Sequence, residues 1–117
     1  MKAAFIFLIF AFLFQTASAQ AKETTTGKRD TTQKIQVVET ACGQCKLGLK
    51  GDDCDLAVRI NGVAYFVDGT DIDSHGDAHA TDGFCNSIRK AEVQGTIVND
   101  RFQATYFKLL KEKKKVK

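Results

Sequence analysis

The four cysteines of this 117-residue chain, Cys42, Cys45, Cys54 and Cys85, all fall within residues 34–110. That stretch is where the apolar residues are spaced as in a folded domain. At roughly 75 residues a hydrophobic core alone is marginal, and small domains of this size commonly add disulfides or a metal. The fold is therefore expected to bring thiols together, and the first question is whether they meet as disulfides, as a redox pair or around an ion.

The compartment bears on the answer. Behind Lys2, residues Ala3 to Phe14 form twelve consecutive apolar residues holding five of the nine Phe, and Ala17-Ser18-Ala19 follows as a small-x-small cleavage pattern. Such a run is shorter than the roughly 18 residues needed to span a bilayer. Residues 1–19 read as a removed secretory signal, and no Cys follows the cleavage pattern to carry a lipid. Cleavage would leave Gln20 at the N-terminus, where it can cyclise to pyroglutamate. The mature protein is thus expected in the periplasm or outside the cell, without a transmembrane helix and in conditions that favour disulfides.

Residues 20–33 are polar and Thr-rich without hydrophobic periodicity and read as a linker. Residues 111–117 form a Lys-rich tail that accounts for the formal charge of +3; without it and Lys2 the domain is slightly acidic. A solubilising end is expected, with at most weak electrostatic contact with anionic surfaces. No folded basic face points to specific nucleic-acid binding. Residues 34–110 are left as a single domain.

Within it, Ile35 to Glu39 reads as a strand with Ile35 and Val37 on one face. Leu56 to Ile60 alternates, Asn61-Gly62 is a strong hairpin turn, and Val63 to Val67 returns. Asp82 is placed to cap a short helix with Phe84, Cys85, Ile88 and Ala91 on one side. Val93 to Val98, a turn at Asn99-Asp100 and Phe102 to Leu110 form a second hairpin. Three strands, a helix and two strands is the element order of a small OB-like, five-stranded, partly open barrel in the α+β class. An open antiparallel sheet with one helix on a face is the alternative.

Cys42-Gly43-Gln44-Cys45 has the spacing of a dithiol redox pair. The chain has no Pro to stand beside such a pair, and Gly48 and Gly51 interrupt any following helix, so structural disulfides are the favoured reading. The preferred pairing joins Cys42 or Cys45 to Cys54 or Cys85; Cys42–Cys45 with Cys54–Cys85 comes next, and spacing does not choose. A zinc site using all four is a further option, disfavoured because Cys54 and Cys85 are far apart in sequence and export favours oxidation.

The segment from Asp68 to Asp82 carries both histidines of the chain and several Asp. Counted from Asp71, the acids Asp71, Asp73, Asp77 and Asp82 fall at positions 1, 3, 7 and 12 of a calcium-type loop, but position 5 is His75. His75 and His79 with Asp73 or Asp77 would instead suit zinc or copper. The bland reading, a solvated loop whose Asp residues make turns, carries the greatest weight. No nucleophile elbow, phosphate loop or H-E-x-x-H motif occurs, so an enzyme is the less favoured class and no catalytic residue is assigned.

With CGQC, CDLAVRINGVAYFVDGT, DSHGDAHATDGFCNSIRKAEVQG and RFQATYFKLL in view, the chain resembles a family of small exported bacterial proteins of unknown function. The resemblance covers about Val37 to Leu110 and implies export in a Gram-negative cell. Such proteins sometimes carry the automatic name glutaminyl-peptide cyclotransferase, an activity that ordinarily belongs to a much larger α/β zinc enzyme. Gln20 suits a substrate of such an enzyme better than this domain suits its fold. The expectation is an exported binding or accessory module of unknown ligand. A metal-handling protein using the loop 68–82 and a thiol oxidoreductase using Cys42 and Cys45 are the alternatives.

Overall fold

The computed structural model describes residues 24–111; the signal segment 1–19 and most of the Lys-rich tail lie outside the described residues. Among the described residues there are six strands: β1 (Thr25–Gly27), β2 (Gln36–Cys42), β3 (Leu56–Ile60), β4 (Val63–Asp68), β5 (Arg89–Val98) and β6 (Arg101–Leu109). A single-turn helix, α1 (Gly43–Lys46), follows β2, and a 3-10 turn spans Ile72–His75.

The last five strands close a barrel. β2 pairs with β3, β3 with β4 and β5 with β6, all antiparallel; β4 runs parallel to β6, and β5 returns antiparallel to β2. This connectivity is the OB-like barrel that the element order suggested, here closed rather than partly open. Closure removes exposed edges from these strands.

The turns are set by local chemistry. Asn61 and Gly62 adopt φ of 51° and 82°, and Asn99 and Asp100 adopt 52° and 60°, the left-handed pairs that tight hairpins require. β6 must pair with β5 along its length and still reach β4, and a register shift at Gln94/Gly95 provides the bend. A Cβ on Gly95 would lie 2.0 Å from the Gln103 carbonyl oxygen, so only glycine fits there.

Val38, Cys42, Leu56, Val58, Val67, Ala91, Val93, Phe102, Phe107 and Leu109 fill the interior, joined by Ile72, Ala78 and Phe84 from the β4–β5 connection. The inward face of β2 is Val38, Thr40 and Cys42, not that of Val37, which is 59% exposed. A second apolar cluster lies apart from this core: Ala41, Leu47 and Ala57, with Leu49, Ala64 and Phe66 packed against them. It gives α1 and the residues after it a surface to rest on.

Two expectations change. The helix expected from Asp82 is absent, because residues 81–86 form turns and β5 begins at Arg89. Gly83 sits where a Cβ would lie 2.3 Å from the Asp77 carbonyl oxygen, and Asn86 spends its side-chain amide on the carbonyls of His79 and Ala80. Phe84 still points into the core, but Ile88 is exposed and Ala91 belongs to β5.

Residues 25–27, inside the segment expected to be linker, form strand β1. β1 pairs with β6, and Asp30 and Gln33 are tied down by Gln94, which is 2% exposed. Gln94 donates to the Asp30 and Gln33 carbonyls at 2.7 and 3.0 Å and accepts from the Asp30 N–H at 2.8 Å. Among the described residues no helix is long and apolar enough to cross a membrane.

Candidate metal centre

Cys42 ends β2, Cys45 lies in α1, Cys54 stands two residues before β3, and Cys85 comes from the β4–β5 connection. Their four Sγ atoms all lie within 4.8 Å of one another. Cys54 is the shared neighbour, 3.3 Å from Cys42, 3.4 Å from Cys45 and 3.0 Å from Cys85.

Each thiol is delivered by the backbone. The Cys42 N–H donates to the Phe84 carbonyl at 3.0 Å, and the Cys85 N–H donates to the Ala78 carbonyl at 2.9 Å. Gly43 N–H donates to the Asp55 carbonyl at 2.8 Å, while Gln44 accepts from the Asp55 N–H at 3.0 Å and donates to its carboxylate at 2.8 Å. Cys54 is thereby held over α1. Space at Gly43 is tight: a Cβ there would lie 2.8 Å from the Phe66 ring, 2.9 Å from Leu49 and 3.0 Å from Ala57.

The exposure is graded. Cys42 is fully buried, Cys54 and Cys85 are half-buried, and Cys45 faces solvent. Burial pushes the Cys42 thiol up, but the N–H groups of Cys45 and Gln44 and the neighbouring thiols outweigh it and hold Cys42 below its ordinary range. The Cys45 thiol, bonded to Cys42 and then Cys54, is pushed up to about 11. Cys54, bonded to Cys85 and Cys42, is pushed up to about 12. For Cys85 the bond from Cys54 acts downward, but burial and the nearby sulfurs carry it up. The downward shift thus falls on the innermost sulfur, while the exposed Cys45 is shifted upward.

The four cysteines are unbridged. Two disulfides would give each sulfur a single bonded partner at about 2.05 Å; here one sulfur contacts three others. Tetrahedral zinc with four thiolates at about 2.3 Å spaces its sulfurs by roughly 3.8 Å. The three sulfur pairs that share Cys54 stand somewhat closer than that and every pair lies within 4.8 Å, so the cluster is of the size such a site needs, with two ligands from a C-x-x-C and one from each of two other segments.

The loop 68–82 is arranged differently. His75 is buried, with Nδ1 bonded to Thr24 Oγ1 and Nε2 to Thr70 Oγ1 at 2.8 Å, so both ring nitrogens are engaged. Asp71 caps the 3-10 turn by accepting from the Ser74 N–H at 3.0 Å, Asp77 accepts from the His79 N–H at 2.9 Å, and Asp68 takes a forked bond from Arg101. Asp73, His79 and Asp82 face solvent. Among the described residues these groups are not gathered as the thiols are.

All four cysteines were singled out in the sequence, with a zinc site using all of them as a disfavoured option; spacing did not favour it because Cys54 and Cys85 reach the site through tertiary structure. A small OB-like barrel with four thiols at one end therefore defines the class of protein. The chain matches the family of unknown function DUF6370 over residues 36–110 and belongs to it. No curated protein and no solved structure matches the chain.

Proposed function

We propose that this is an exported barrel domain that binds one zinc ion through Cys42, Cys45, Cys54 and Cys85. The observation that carries the proposal is Cys54, whose sulfur stands within 3.4 Å of all three others. Four sulfurs in a closed shell suit a thiophilic ion with tetrahedral preference. Export rests on the Phe-rich segment and Ala17-Ser18-Ala19. In an oxidising compartment a bound ion would keep the thiolates from pairing. Nothing in the barrel calls for a glutaminyl cyclotransferase; Gln20 remains its candidate substrate position in the exported chain.

The test is metal analysis of protein purified without chelator, joined to alkylation of the native protein. The proposal expects one zinc per chain and four thiols whose labelling needs no reductant and speeds up when the metal is removed by a chelator. Two disulfides and no metal would contradict it.

A further inference from the structure

Resting on the zinc-binding reading, we propose that Cys45 is the exchangeable ligand, and that the ion passes between this site and an incoming thiolate by displacement of Cys45. Structural zinc sites are closed, four protein ligands filling the coordination shell, so an incoming ligand has to displace one of them. Here three ligands are held and one is open.

Cys42 is fully buried and fixed by its N–H bond to Phe84. Cys85 is half-buried and fixed by its N–H bond to Ala78, and Cys54 is half-buried beside the Gln44–Asp55 clasp. Cys45 alone faces solvent, on a helix of one turn.

In the exchange, the bond from the ion to Cys45 Sγ breaks as the bond to the incoming sulfur forms. Cys45 takes the proton that the incoming thiol gives up. The ion keeps its oxidation state, and Cys42, Cys54 and Cys85 retain it until a second incoming sulfur completes the transfer. The incoming group is a thiolate, from a second protein or from a small thiol.

The test uses the zinc-loaded full chain. Peptide-resolved alkylation with iodoacetamide is expected to label Cys45 faster than Cys54 or Cys85 by about tenfold or more. Zinc transfer should rise in rate with acceptor concentration. Faster transfer to a C-x-x-C peptide than to glutathione at equal thiol identifies a protein acceptor, and the reverse identifies a small thiol. Cys45→Ala should still load zinc and release it at least about tenfold faster. Even labelling of the three outer thiols, a rate independent of acceptor, or a Cys45→Ala protein that takes no zinc while remaining folded would overturn the inference and leave zinc binding intact. A wild-type chain that binds no zinc would overturn the proposed function and this inference with it.

Discussion

The Cys42 N–H donates to the Phe84 carbonyl at 3.0 Å, and this bond joins the end of β2 to the β4–β5 connection one residue before Cys85. Phe84 is anchored in the barrel core, so the position of the Cys85 thiol is set by packing of its neighbour. The sulfur cluster and the core are consequently one structure, and loss of either should be felt by the other.

Zinc is therefore expected to stabilise the whole barrel. At free metal a thousandfold above Kd, linkage contributes about 4 kcal/mol, which for a domain of this size raises Tm by more than about 15 °C. Thermal unfolding with and without chelator checks this; coincident transitions would contradict it.

Cys54 touches all three other sulfurs. Cys54→Ser should weaken zinc binding by more than about a hundredfold, beyond the range usual for changes outside the ligand set. Competition against a chromogenic chelator measures it. An affinity within tenfold of wild type would place the ion elsewhere.

Gly43→Ala forces a methyl against Phe66, Leu49 and Ala57. Because part of that contact is with backbone-anchored side chains, we expect destabilisation of about 1–3 kcal/mol by urea unfolding, accompanied by weaker zinc binding as α1 shifts Cys45. Unchanged stability would show that the segment 43–49 yields without cost.

His75 supplies a pH dependence separate from the thiols. Burial holds its pKa below 6.5, with Asp71 acting weakly in the opposite direction. The unfolded chain then binds the proton more readily than the folded one, so stability is complete above about pH 6.5 and falls as pH drops below it toward the folded value. Unfolding of the zinc-free protein between pH 7 and 5 should show this decline, and His75→Asn should flatten it. A decline of equal size in the variant would assign it to other groups.

Most of the barrel was legible in local pattern. Alternation from Leu56 to Ile60 and the Asn61-Gly62 turn marked the first hairpin at its observed residues, and Asn99-Asp100 marked the second. β1 escaped because Thr25-Thr26-Gly27 carries no apolar period; it is held by backbone pairing with β6 and by Thr26 bonding Thr70 at 2.9 Å. The expected helix from Asp82 failed because the spacing of Phe84, Ile88 and Ala91 also arises when a core-anchored turn runs into a strand. His75 stood as a candidate ligand, beside the favoured solvated-loop reading, because its partner Thr24 lay in a segment without folding signals. The thiol site was legible only in part: C-x-x-C announces a local pair, whereas the approach of Cys54 and Cys85 follows from the closing of the barrel.

Native mass spectrometry of the unreduced, chelator-free protein tests the central claim most directly. The account predicts one zinc per chain, lost on acidification to leave a mass with all four thiols protonated. A metal-free chain lighter by four hydrogens, the signature of two disulfides, would contradict it.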